Sequence, residues 1–270
     1  MPTVTVPGWT LHYDVTDMVP PWVQDPETLV FHHGLGASGG IWAGWLPVLA
    51  GHYRLVRFDM RGHGRSVAAP PDAPFSLADL THDLLAVADA AGCGRFHLVG
   101  ESMGGTIALK TAIEQPQRVL TLTVSNGAHL GASIQSVQDW AGIIAQRGMA
   151  GWSAHMMERR FFPGTLPEEA WRWYERQQAQ AAPAVLLHAL GLLVGTDLSA
   201  ALGRAQLPVL LLHGDSSPFI PVAAMADLQA RLPQARLRVF PHARHGLPFS
   251  HARECAQELE RFLAERRPGA

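Results

Sequence analysis

The stretch Leu98-Val99-Gly100-Glu101-Ser102-Met103-Gly104-Gly105 limits what this chain can fold into more than any other part of its 270 residues. A β-rich run, Arg95–Gly100, leads into it, and Met103–Glu114 follows as a helix that stops before Pro116. Gly-x-Ser-x-Gly between a strand and a helix describes a very sharp turn. The serine sits on strained backbone with little room around it, so small residues are needed two positions to either side. Its hydroxyl stands clear of the sheet, which makes Ser102 a candidate nucleophile. Strands that alternate with helices in this way predict a parallel sheet covered on both faces.

The rest of the chain fits that plan. Val4–Val6 and Thr10–Val15 flank Pro7-Gly8 and predict an opening hairpin. Thr28–His32 and Tyr53–Asp59 read as short strands, each running into a Gly-containing loop, and Pro70 to Pro74 reads as a loop. Leu77, Leu80, Leu84, Val87 and Ala91 keep helical spacing behind Ser76, a good N-cap residue, and Gly92-Cys93-Gly94 stops that helix. Arg118–Val124 is the next strand. From Gly127 to Gln206 there is no convincing strand, but many Trp, Met, Ala and Gln residues. After Pro208 the alternation resumes with the strand Val209–His213, the helix Val222–Arg231, the strand Leu237–Phe240 and a last helix ending near Arg266. The expected organisation is a sheet domain from residues 1–126 and 207–270, with residues 127–206 as a helical insertion above one end of the sheet.

Two further loops carry chemistry-bearing residues. His32-His33-Gly34-Leu35-Gly36 ends an early strand, and a Gly-rich loop there can aim the Leu35 N–H at a developing oxyanion, paired with the N–H of Met103. In Phe58-Asp59-Met60-Arg61-Gly62-His63-Gly64-Arg65-Ser66, the acid and the arginines are expected to hold a tight loop together rather than to react.

These motifs, with the late Leu211–Asp215 and Ala243–Gly246, resemble the α/β-hydrolase superfamily in order and spacing from about residue 10 to 266. The resemblance implies an α/β-hydrolase fold: a mostly parallel eight-stranded sheet flanked by helices, with a helical cap inserted after the sixth strand. Trp140, Arg147-Gly148-Met149 and Arg159-Arg160-Phe161-Phe162 look like the cap of 3-oxoadipate enol-lactonases. They are less closely similar to hydrolases of ring-cleavage products and to cofactor-free haloperoxidase-type esterases. The family's general base lies after the last strand, where His245 matches it and Arg244 replaces the usual small residue. The family's acid usually stands three residues after the Gly that ends the seventh strand. Here that place holds Ser217, two residues beyond Asp215, and the alternative place after the sixth strand reads Ser125-Asn126-Gly127. Three arrangements stay open: Asp215 swings into the role, Ser217 or a nearby carbonyl or water serves His245 without a charge, or a carboxylate arrives from elsewhere.

The resemblance implies a serine hydrolase that cleaves an ester or lactone, enol-lactone-like, of a small and partly hydrophobic organic acid through Ser102 and His245. Two alternatives are a carbon–carbon bond hydrolase of a ring-cleavage product, for which Arg147, Arg159 and Arg160 are candidate substrate anchors, and a non-catalytic receptor on the same fold. No cofactor is implied, and no metal: near His245, His242 and His251 have no carboxylate or cysteine to complete a ligand set. With 21 basic against 23 acidic residues and no Lys/Arg run, no nucleic-acid or acidic-membrane partner is expected. Cys93 and Cys255 form no CxxC, the start MPTVTVPGWTLHYD lacks the basic and apolar regions of a signal peptide, and no apolar run reaches the ~18 residues of a membrane span. A cytoplasmic location is the expectation.

Overall fold

In the computed structural model, residues 2–66 and 74–266 are described, so the loop expected at 70–74 lies outside them except for Pro74. Eight strands appear among these residues: β1 (Thr3–Val6), β2 (Trp9–Thr16), β3 (Thr28–His32), β4 (Arg54–Phe58), β5 (Phe96–Glu101), β6 (Val119–Ser125), β7 (Val209–Gly214) and β8 (Ala235–Phe240). They form one sheet in the order β1-β2-β4-β3-β5-β6-β7-β8. β1 and β2 are the expected hairpin; β2 also runs antiparallel to β4, and every later pairing is parallel.

The helices are α1 (Leu46–Leu49), α2 (Leu77–Ala90), α3 (Met103–Glu114), α4 (Trp140–Arg160), α5 (Glu168–Ala179), α6 (Pro183–Val194), α7 (Val222–Arg231), α8 (Leu247–Ser250) and α9 (Ala252–Ala264). α2 begins on a reciprocal cap, in which Ser76 Oγ accepts from Asp79 N and the Asp79 carboxylate accepts from Ser76 N. Alternate residues of the central strands feed two cores. Val30, Val56, Leu98 and Leu211 pack on the face covered by Leu84, Ile107 and Met225 of α2, α3 and α7. Leu29, Leu55, Val99 and Leu212 pack on the other, against Trp42, Trp45, Leu259 and Phe262. This two-residue period is what a pleated strand covered on both faces requires.

Between β6 and β7 the chain forms α4, α5 and α6, and the strand-poor reading of this block agrees: it contributes only the isolated bridge Leu130–Asp197 among the described residues. α4 is broken at Gly148, whose φ of 65° no helix can use. The block rests on loops that follow the parallel strands. Ala182 N donates to Gly62 O after β4 (2.9 Å), and the Trp140 ring meets Phe219 after β7 with centroids 5.8 Å apart. The chain leaves β3 toward β4 on one side and continues from β5 on the other, so the order reverses between β3 and β5. Crevices at the carboxyl ends of strands at such a reversal are where open α/β sheets bind ligands. None of the described helices is long and apolar enough to cross a membrane.

Candidate active site

Ser102 occupies that reversal point. It sits between β5 and α3 with φ 54° and ψ −121°, a conformation that non-glycine residues rarely hold. The packing that imposes it explains the flanking glycines. A Cβ on Gly100 would lie 2.3 Å from Gly104 O, and one on Gly104 would lie 2.4 Å from His32 O.

His245 comes from the loop after β8 and is buried. Its Nε2 lies 2.9 Å from Ser102 Oγ, and its Nδ1 lies 3.0 Å from Ser217 Oγ. Ser217 Oγ also accepts from Ile220 N at 3.3 Å. A hydroxyl oxygen has two lone pairs, so it can take both that amide and a proton from Nδ1, which leaves the Nε2 lone pair facing Ser102. Asn126 holds the loop from behind: its Nδ2 donates to His245 O (2.9 Å) and its Oδ1 accepts from Gly214 N (3.1 Å). The place after β6 therefore carries an amide that ties β7 to the histidine loop. Burial, then the Arg160 guanidinium and His213, keep the His245 ring well below the usual imidazole value, so it rests neutral.

The structure does not bring Asp215 to His245. Its carboxylate accepts from His242 N (3.0 Å), Ala243 N (3.2 Å) and Ser216 Oγ (2.8 Å). Slight burial would raise this carboxyl, but the His242 amide, the Ser216 hydroxyl and the Ala243 amide outweigh it and hold it below the ordinary carboxylate value. Asp215 therefore braces the backbone of the histidine loop. His242 and His251 are not gathered with His245 either: the His242 ring stacks on Phe162 at 4.4 Å, and His251 Nδ1 pairs with Ser250 Oγ.

Leu35 lies in the turn after β3. Among the described residues its N–H has no protein acceptor, and Met103 opens α3, whose first amides lack internal partners. The turn is tied from several sides. His33 Nε2 accepts from Met60 N (3.0 Å), which leaves Nδ1–H to donate to Gly34 O (2.8 Å). Asp59 behaves as expected, accepting from Gly39 N (2.7 Å) and Arg65 N (2.9 Å), while Arg61 pairs with buried Asp83.

One carboxylate near Ser102 is not among the sequence candidates. Glu101, in the variable position before the serine, is 1% exposed. Its Oε2 accepts from Gly34 N at 2.8 Å, an approach so close that a Cβ on Gly34 would lie 2.3 Å from that oxygen. Its Oε1 has no hydrogen-bond partner and lies 3.7 Å from Arg160 Nη1 and 3.8 Å from His245 Nε2. Burial pushes this carboxyl up, against the pull of Arg160 and the Gly34 amide, to about 7. Arg160, the last residue of α4, also donates to Leu35 O (2.5 Å) and to Tyr174 Oη (3.3 Å). Of the three arginines singled out in the sequence, Arg160 alone lines the cavity over Ser102; Arg147 is exposed and Arg159 bonds His155. The cavity's walls are otherwise largely apolar, among them Ile134, Val137, Trp140, Leu190 and Phe219.

The sequence profile of the alpha/beta hydrolase fold family matches residues 27–252. A protein of Pantoea ananatis, named provisionally as the carbamate hydrolase RutD, is 33% identical over 219 residues, covering 77% of this chain and 78% of its own length. The pimeloyl-acyl-carrier-protein methyl ester esterase of Aeromonas hydrophila is 31% identical over 255 residues, 89% of this chain and 96% of that protein. The crystal structure of the enol-lactonase from Burkholderia xenovorans LB400 superposes with a TM-score of 0.86 over 97% of this chain and 100% of that one. At 23% identity that likeness concerns the fold.

Proposed function

Because the chain belongs to the α/β-hydrolase fold family, we propose that it cleaves an ester or lactone of a small, largely apolar acid, with Ser102 as nucleophile and His245 as general base. The observation that carries this reading is the continuous chain Ser102 Oγ–His245 Nε2 (2.9 Å) and His245 Nδ1–Ser217 Oγ (3.0 Å) at a strained strand–helix turn. Ser102 Oγ attacks the carbonyl carbon while His245 Nε2 takes its proton. The carbonyl oxygen becomes an oxyanion held by the Leu35 and Met103 amides. The tetrahedral species then collapses, the imidazolium returns the proton to the leaving oxygen, and an acyl-Ser102 remains. Water, deprotonated by the same nitrogen, releases the acid and restores the serine. Helices α4 to α6 act as the cap that closes this space.

Ser217 fixes the imidazole tautomer but adds no charge to steady the imidazolium, and replacing the acid in a serine protease triad lowers turnover by about 10⁴-fold. The proposed substrates therefore have a good leaving group, such as an enol or phenol, which needs less help from the base. The carbamate and methyl ester in the relatives' names are likewise substrates for acyl transfer. Carbon–carbon cleavage with Arg160 as carboxylate anchor fits less well, since Glu101, Leu35 O and Tyr174 already engage that guanidinium. A fluorophosphonate probe is expected to label Ser102 and to leave Ser102→Ala unlabelled; equal labelling of both would remove Ser102 from the role.

A further inference from the structure

The cavity over Ser102 is tight: the centre of a water-sized sphere has only about 20 Å³ there, room for about one or two waters. On the far side of Ile134, Val137 and Leu190 lies a wider trough, about 440 Å³ by the same measure and open to solvent. The same three residues line both spaces, so one layer of side chains separates them. The trough runs between the start of α4 with its preceding loop and the exposed side of α6, and Gln138 is its one polar side chain. Val194, at its rim, is an exposed large apolar residue.

Gly191 forms part of the trough wall from inside α6. Glycine in a helix interior weakens it relative to alanine, yet packing does not demand it here: a Cβ at Gly191 would meet nothing within 4 Å. The missing side chain leaves the trough open.

We propose that the trough is a second subsite of the Ser102 centre, which takes an unbranched apolar chain of the ester as it passes between Ile134, Val137 and Leu190. This rests on the reading of Ser102 as nucleophile and names the class of its substrate: an ester carrying a medium-length aliphatic chain. The walls carry no charged side chain and are mostly apolar, so the chain is held mainly by removal of methylenes from water, a gain of up to about fourfold in kcat/KM for each one fully buried. Ile134 and Val137, both buried, and half-buried Leu190 form the partition, so passage of the chain requires a rotamer change in this one layer.

The test uses the full chain and two substrate series below their self-association limits. In p-nitrophenyl esters from acetate to octanoate, kcat/KM is expected to rise by about 30-fold or more if the chain lies on the acyl side. In acetates of para-alkylphenols from ethyl to octyl, the same rise places it on the leaving-group side. A flat response in both series overturns the subsite while leaving hydrolysis intact; failure of every ester, with no fluorophosphonate labelling of Ser102, overturns the hydrolase reading instead. Gly191→Phe fills the trough from an exposed helix position, and Ala141→Phe fills it from α4 should the first variant fail to fold. In a folded variant, checked by circular dichroism, the octanoate-to-acetate ratio is expected to fall at least tenfold, or the octyl-to-ethyl ratio where the phenol series carries the rise. An unchanged ratio overturns the assignment.

Discussion

The two sides of the His245 ring are built on opposite electrostatic plans. On the Nδ1 side stands a half-buried turn whose neutral Ser217 hydroxyl meets the ring, while its one carboxylate, Asp215, is committed to the amides of His242 and Ala243. On the Nε2 side, beside Ser102, lies a fully buried carboxylate–guanidinium pair, Glu101 and Arg160, with Glu101 Oε1 3.8 Å from the nitrogen proposed to carry the proton. On the proposed mechanism, orientation and charge compensation, which one carboxylate supplies in a Ser-His-Asp triad, are divided between two places. A hydrogen-bond acceptor of any charge suffices to choose a tautomer. Steadying an imidazolium takes a negative charge close by in a dry site.

The largest effects test what both sides serve. Ser102→Ala and His245→Ala are each expected to lower turnover of p-nitrophenyl acetate by about 10⁴-fold or more, the scale seen when a member of a nucleophile–base unit is removed. Next comes the Nε2 side. When Glu101 is protonated, Arg160 faces His245 uncompensated and disfavours the imidazolium; when it is ionised, the pair is balanced. Activity is therefore expected to rise with pH through about 7, the value to which burial lifts Glu101. The His245 ring is held well below its usual value and titrates at lower pH. In Glu101→Gln the acceptor for Gly34 N is kept, the rise near pH 7 should vanish from the kcat/KM profile, and the rate at pH 8 should fall by about 10- to 100-fold, within the range of general acid–base effects. An unchanged rise near pH 7 would remove Glu101 from this part. A smaller change is expected for Ser217→Asp, which puts a carboxylate on Nδ1. Turnover of ethyl esters should rise by about tenfold, and that of p-nitrophenyl esters much less, because the imidazolium matters most when the leaving group is poor.

Much of this is legible in the residues. The elbow around Ser102, the loop at Leu35 and the seat of His245 follow from short motifs whose backbone demands are local. α3 and α7 run over the residues that their patterns indicate. β5 reaches one residue further than its composition shows, because Glu101 pairs with Ser125 of β6, a partner that sequence periodicity does not reveal. The departure at Ser217 is visible as a missing acid, but which oxygen meets His245 depends on how the turn after β7 folds back on the next loop. Glu101 is not legible in the sequence because the variable position of the elbow has no fixed direction there; only the approach of the Gly34 amide gives its carboxylate a place. Its one available signal is an acid closing a buried central strand. Arg160 likewise looks like any helix-surface arginine until α4 ends beneath the Leu35 turn.

The division of labour around His245 is tested most directly by comparing Ser217→Ala with Asp215→Asn on p-nitrophenyl acetate at pH 8, both checked for folding by thermal melts. Ser217→Ala removes the hydroxyl that meets Nδ1 and is expected to lower kcat about tenfold, a modest general-base effect. Asp215→Asn keeps one acceptor oxygen for the loop amides and should stay within about threefold of wild type, with a melting point lower by a few degrees. A loss of about three decades or more in folded Asp215→Asn, with Ser217→Ala near wild type, would show that the carboxylate of Asp215 orients the histidine and that the neutral contact does not.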